Sequence, residues 1–299
     1  MTPFRQLPFR DLPEVPRVAH RWAEVETHRA SIATEAYGDL DTTWYTYGSG
    51  PPLLLIHGLM TAAYSWRYVL PLLGERYTLV MPDLPGSGAT AKPDATYEPD
   101  RLADWIGGFA RHVGIRGCRA IGNSLGGYLA LKLAIRDPGA FERLVDLHSP
   151  GVPLARLWAL AAVIRAPGAE RLLRALVHRD PERWVHRNVH YYDESLKSRE
   201  EARVWAEPLR SVEGVRAFHR ILRDTTDPRP MRRFLTELPR ITIPVLLVYA
   251  TTDPLVPPWI GDRLVERIPG AKLARLDQAS HFAHVDAPER VVAALGGFL

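Results

Sequence analysis

Gly122-Asn123-Ser124-Leu125-Gly126 places a serine between two glycines, where the apolar run Cys118 to Ile121 meets the helical pattern Leu125 to Ile135. The run reads as a buried strand and the pattern as the helix that leaves it, so the chain must reverse within a few residues. A bulky side chain at 122 or 126 would collide in so tight a turn, which gives both glycines a steric reason. The turn pushes the serine hydroxyl clear of the backbone, where a substrate can meet it. Five residues alone could also be an ordinary strand-to-helix turn with a capping serine. What favours a nucleophile is the order of the other reactive residues.

Asp253 follows the apolar run Ile243 to Ala250, and His281 follows the run Ala271 to Leu276, so Ser124, Asp253 and His281 come in the order nucleophile, acid, base. A serine hydroxyl is a poor nucleophile unless a base within reach takes its proton and a third group orients that base. His281 and Asp253 are the candidates for those roles.

His57-Gly58 ends the strand pattern Leu53 to Ile56, and Asp83-Leu84-Pro85-Gly86-Ser87-Gly88 follows the strand pattern Tyr77 to Met81. Ser280-His281-Phe282 precedes a last helical segment opened by Pro288-Glu289. In these residues and their order the chain resembles the α/β-hydrolase superfamily, in its serine-nucleophile branch with a helical cap (esterase/lipase-like). Ser280 departs from the pattern, since a glycine is common there.

The resemblance implies an α/β fold, with a mostly parallel central sheet flanked by helices and an inserted helical cap. It also implies an oxyanion hole made by the backbone N–H groups of Leu59 and Leu125, and no cofactor. Dehalogenases and epoxide hydrolases of this fold use aspartate at the elbow, because a carboxylate can displace at carbon and leave a hydrolysable ester. Serine cannot substitute for it, which leaves acyl transfer to water.

Alternation of strand and helix supports the same architecture. Thr34 to Tyr47 reads as a hairpin around Gly38-Asp39, and Thr61 to Leu73 and Asp100 to Val113 read as helices. The alternation breaks at Ser149-Pro150-Gly151-Val152-Pro153 and resumes near Pro239 and Pro244. Residues 1–150 and 240–299 are therefore expected to form the core, and residues 151–239 a helical cap. The 129 residues from Ser124 to Asp253 exceed what one strand and one helix need, whereas the 28 from Asp253 to His281 match one helix and one strand.

Composition excludes several other classes. With 299 residues, 46% of them hydrophobic, the chain can bury a full core, and the single cysteine, Cys118, permits neither an intramolecular disulfide nor a thiolate metal site. No apolar run has the length of a signal peptide or a membrane span, so a cytoplasmic protein with no membrane partner is expected. The net charge of +4 arises between residues 151 and 240, where 18 Lys and Arg face 12 Asp and Glu. Bases and acids are mixed there at helical spacings without aromatic interleaving, which reads as a solvated helical face rather than a nucleic-acid site. His186 and His190 lie four apart, but two surface histidines account for them better than a metal pair does, and no metal site is expected.

His284 is an alternative base and Asp146 an alternative acid. His57 reads as a tie for the oxyanion loop, and Asp83 as a loop cap. The expected substrate is a small-molecule ester with an apolar acyl group, held by Leu59, Met60, Tyr64 and Trp66 from the core and by Trp158, Leu160, Val163, Trp184 and Tyr191 from the cap. Gly122 to Gly127 also resembles the GNSMGG of carbon-carbon bond hydrolases of meta-cleavage-product type. The loop HGLMTAAYSW and Phe282 depart from that group. A ligand-binding member of the fold without catalysis is the reading from a different class. The sequence does not set the oligomeric state.

Overall fold

In the computed structural model, which describes residues 3–299, eight strands form one sheet in the order β1-β2-β4-β3-β5-β6-β7-β8. They are β1 (Glu26–Thr34), β2 (Gly38–Tyr47), β3 (Pro52–Ile56), β4 (Thr78–Pro82), β5 (Cys118–Asn123), β6 (Phe141–Leu147), β7 (Val245–Ala250) and β8 (Lys272–Leu276). β1 and β2 form an antiparallel hairpin, and β2 pairs antiparallel with β4. Every later pairing is parallel. Gly38, with φ of 65°, turns the hairpin in a region that favours glycine.

The central strands are continuous apolar runs because helices cover both faces of the sheet. Alternate side chains divide between those faces. Leu54 and Ile56 of β3 pack with Trp105, Phe109 and Leu129 from the helices Pro99–His112 and Leu125–Arg136, while Leu53 and Leu55 pack with Leu70, Val291 and Leu295 on the other side. Cys118 is buried at the start of β5, and burial pushes its thiol up to about 12.

Thr61 to Leu73 is not one helix. It divides into a 3-10 turn at Ala63–Trp66 and a single α turn at Leu70–Leu73. Asp83 accepts the Ala63 N–H at 2.8 Å at the start of the first turn, and Pro71 lacks the donor needed to continue one longer helix.

Between β6 and β7 the chain forms the helices Ala155–Ile164, Ala169–Arg179, Pro181–Asn188, Arg199–Ala206, Val212–Thr225 and Pro228–Glu237, with short 3-10 turns and no strand. Asp180, Ser198, Ser211 and Asp227 cap four of them through their side-chain oxygens, and Pro181 and Pro228 open two. These helices lie over the carboxyl ends of the strands. There Tyr191, Trp205 and Phe218 pack with Tyr64 and Tyr68, which follow β3, and with Phe282, which follows β8.

Candidate active site

The turn after β5 has the geometry that its glycines permit. Ser124 sits at φ 54° and ψ −116°, a conformation that a side chain other than glycine rarely adopts. Its N–H donates to the Leu147 carbonyl at 2.7 Å, and its own carbonyl accepts from Tyr128 N–H at 3.0 Å. A Cβ at Gly122 would come within 2.5 Å of the Gly127 nitrogen, and one at Gly126 would press into the carbonyl oxygen of Ile56. The helix Leu125–Arg136 begins at this point, so its positive end faces the serine.

His281 and Asp253 come from the loops that follow β8 and β7. Their side chains meet at 2.7 Å between Nδ1 and Oδ2, with Asp253 wholly buried at its side chain. Burial pushes the Asp253 carboxyl up, but His281 and backbone donors outweigh it and hold the group below the usual carboxylate range. Those donors are the N–H groups of Leu255 and Val256, at 2.7 and 2.9 Å from Oδ1. With Nδ1 committed to Asp253, Nε2 is the ring nitrogen left to exchange a proton.

Ser124, His281, Leu59 and Leu125 line one cavity of about 400 Å³. Neither the Leu59 nor the Leu125 N–H donates to another protein group among the described residues, and both residues line the cavity with Ser124. Most of the remaining wall is apolar: Met60, Leu157, Leu160, Val189, Met231 and Phe282. Met60 has a φ of 64°, so the loop after β3 is strained where it faces the cavity.

Of the aromatic residues expected at the pocket, Tyr64, Trp66, Trp158 and Trp184 do not line it. Tyr64 hydrogen-bonds Glu200 at 2.6 Å, and Trp66 is buried against His284, with ring centroids 4.4 Å apart. Trp184 packs edge-on against Phe218, and Trp158 is on the outer surface, 43% exposed. The helices carrying these residues turn them elsewhere, which periodicity alone does not reveal. Val163 is likewise exposed, and Tyr191 is committed to Glu201 at 2.7 Å.

Neither the alternative base nor the alternative acid takes part in the hydrogen bond between His281 and Asp253. His284 is fully buried, and neither of its ring nitrogens has a hydrogen-bond partner among the described residues. Asp146 accepts from Ser149 Oγ at 2.8 Å and from Tyr249 Oη at 3.2 Å. Burial raises its carboxyl to about 7.

His57 accepts the Leu84 N–H at Nε2 (3.0 Å), so its Nδ1 donates to the Gly58 carbonyl at 2.8 Å and ties the loops after β3 and β4 together. Asp83 accepts the N–H groups of Ala63 and Ala89, each at 2.8 Å. Ser280 accepts the Phe282 N–H at 3.0 Å, a contact that glycine could not make. His186 and His190 go to separate partners, the Leu7 carbonyl and Glu194, and the helix carrying His186 ends at Asn188, before His190.

Two residues near the pair were missed by sequence reasoning. Asn123 donates from Nδ2 to the His281 carbonyl at 3.1 Å, so the residue before Ser124 holds the loop that carries His281. His148, with φ of 59°, lies 5.8 Å from His281 between ring centroids and accepts the Ala250 N–H at 2.7 Å. Burial lowers His148 to about 4, so it stays neutral beside the pair. Its position at the end of β6 was the only signal in the sequence.

A sequence model of the alpha/beta hydrolase family matches residues 53–294. The chain belongs to that family and is a hydrolase of the α/β fold. It is 28% identical over 270 residues to a 2-hydroxymuconate semialdehyde hydrolase of Pseudomonas sp. strain CF600, covering 86% of this chain and 90% of that one. It is 26% identical over 249 residues to an uncharacterized hydrolase, YugF, of Bacillus subtilis, covering 83% and 89%. The solved structure of the epoxide hydrolase CorEH superposes with a TM-score of 0.78 at 23% identity, covering 92% of this chain and 98% of that one. At that identity the likeness shows the shared fold alone.

Proposed function

We propose that this protein is a serine hydrolase in which Ser124, His281 and Asp253 act as a triad on carboxylic esters with an apolar acyl group. The observation that carries the reading is the 2.7 Å pair of His281 and Asp253 opening on the same apolar cavity as the strained Ser124. Ser124 Oγ attacks the ester carbonyl as its proton passes to His281 Nε2. Asp253 stabilises the imidazolium that forms, and the Leu59 and Leu125 N–H groups receive the oxyanion. The intermediate collapses to an acyl-enzyme as His281 returns the proton to the departing alcohol. Water, deprotonated by the same nitrogen, then releases the acid and frees the serine. The six helices between β6 and β7 act as the cap that closes the cavity over the acyl group.

A panel of p-nitrophenyl esters from acetyl to palmitoyl tests this reading. Turnover is expected to fall by at least about 10³-fold in Ser124→Ala with thermal unfolding unchanged. Equal turnover by the variant would overturn the assignment. The 2-hydroxymuconate semialdehyde hydrolase relative favours a second reading, carbon-carbon bond cleavage by the same three residues. Arg156, at the cavity wall, would hold the carboxylate of such a substrate. Inert esters together with cleavage of a vinylogous diketone bearing a carboxylate would select it.

A further inference from the structure

Helix Ala155–Ile164 carries a single charge, Arg156, in its ten residues. A helix apolar on every side is ordinarily withdrawn from water, yet this one lies at the surface. Leu157, Leu160, Ala161 and Ile164 face inward, while Ala155, Ala159 and Ala162 are exposed together with Trp158 and Val163. The next helix, Ala169–Arg179, extends the exposed apolar face through Leu172 and Leu176, one turn apart and 63% and 56% exposed. A shallow groove of about 600 Å³ runs between the two, walled by Leu160, Val163, Leu172, Leu173 and Leu176. Leu160 also lines the cavity that holds Ser124 and His281, so the groove and the cavity share a wall.

The charges around this face are predominantly positive. Residues 155 to 179 contain five arginines and one glutamate. Glu170 faces Arg216 and Arg165 is taken by Asp227, whereas Arg171, Arg174 and Arg179 have no acidic partner among the described residues. Arg232 lies 5.4 Å over the exposed Trp158 ring. A symmetric contact between two copies would set these arginines against each other without acids to meet them.

We propose that the helices Ala155–Ile164 and Ala169–Arg179 form a docking face for an anionic lipid surface. Trp158, Val163, Leu172 and Leu176 enter the boundary between headgroups and acyl chains, and the arginines meet lipid phosphates. The sequence-based expectation of no membrane partner rested on the lengths of apolar runs, which bear on spanning and not on surface binding. Delivery of an acyl chain past Leu160 to Ser124 rests on the serine hydrolase reading. Docking itself does not.

The test is co-sedimentation of the full chain with phosphatidylcholine vesicles and with vesicles in which a third of the lipid is phosphatidylglycerol, at low and high salt. The mixed vesicles are expected to bind at least about ten-fold more tightly, with the advantage shrinking as salt screens the charges. Leu172→Gln combined with Leu176→Gln is expected to weaken that binding about ten-fold or more. Arg171→Glu combined with Arg174→Glu should remove the preference for anionic lipid. Both pairs lie outside the Ser124 cavity, so turnover of a short soluble ester and the thermal midpoint report that the fold is intact. Absence of wild-type binding, or equal binding by both double variants, would overturn the proposal. A dimer broken by Leu172→Gln and Leu176→Gln, with no vesicle binding, would assign the face to a second copy and overturn it as well. Loss of docking with ester turnover retained would leave the serine hydrolase reading standing, and Ser124→Ala tests that reading without vesicles.

Discussion

Asp146 and Asp253 show how surroundings give two buried aspartates opposite behaviour. Asp253 has a histidine and two backbone donors, while Asp146 has two hydroxyls and an oxygen, Oδ1, with no partner among the described residues. Asp146 therefore keeps a proton in the folded state up to about pH 7, which the unfolded chain releases near its ordinary value of about 4. Between those values the folded state binds more protons than the unfolded state, so stability falls as pH rises through the window. In Asp146→Asn that contribution disappears. Its stability relative to wild type is expected to grow from about pH 4 to about pH 7 and then level off, as read by denaturant unfolding across pH. Under the proposed serine hydrolase reading, the two aspartates also separate in catalysis. Asp253→Asn is expected to lower ester kcat by about 10⁴-fold, whereas Asp146→Asn should stay within about ten-fold of wild type. Gly126 offers a steric test. Gly126→Ala would force its methyl group into the Ile56 carbonyl and is expected to cost roughly 3 kcal/mol or more, measured by urea unfolding.

At the scale of elements, a buried charge network joins the turn after β3 to the helix Arg199–Ala206. Arg67, wholly buried, pairs with Glu201, which also accepts from Tyr191 Oη at 2.7 Å. The guanidinium lies between the rings of Tyr64 and Tyr68, 4.5 Å from each centroid. Removing one partner strands the other charge out of water, so Arg67→Met alone is expected to destabilise by about 3–5 kcal/mol. Adding Glu201→Leu should restore part of that loss, since the uncompensated charge goes with it. Chemical denaturation of the two variants checks both statements.

The strand-turn-helix at Ser124 was legible from residues 118 to 135, because adjacent residues build it and glycine spacing encodes its sterics. The Arg67–Glu201 network was not. Its members are 134 residues apart, and each reads in sequence as a solvated charge. The cavity wall was only partly legible for a related reason. Met60, Leu59 and Leu160 were identified by position, but Trp66 and Trp184 point into packing contacts that the rotation of their elements sets.

Across the whole molecule, residues near the amino terminus join the core to the helices between β6 and β7. The carbonyls of Pro13 and Glu14 accept the N–H groups of Arg199 and Glu200 at 2.8 and 3.0 Å, and His20 meets Glu200 at 3.0 Å while stacking edge-on with Tyr64. Gln6 and Leu7 contact His186, and Phe9 lies under Arg199. A chain shortened to begin after residue 20 is expected to melt a few degrees lower, since losing even about 2 kcal/mol moves the midpoint of a domain this large by roughly 3 °C. Calorimetry of the shortened and full chains would measure it. An unchanged midpoint would show that this segment only rests on the surface.

The sequence by itself determined the alternation of strand and helix, the turn at Ser124 and the order in which serine, aspartate and histidine occur, because these depend on side-chain periodicity and on local backbone sterics. Tertiary structure alone decided that His281 meets Asp253 and not Asp146, that Asn123 holds the histidine loop, and that one face of the apolar helix Ala155–Ile164 lies at the surface. Each of these depends on how loops from distant strands converge at one end of the sheet, and that distance in space is not written in the distance along the chain.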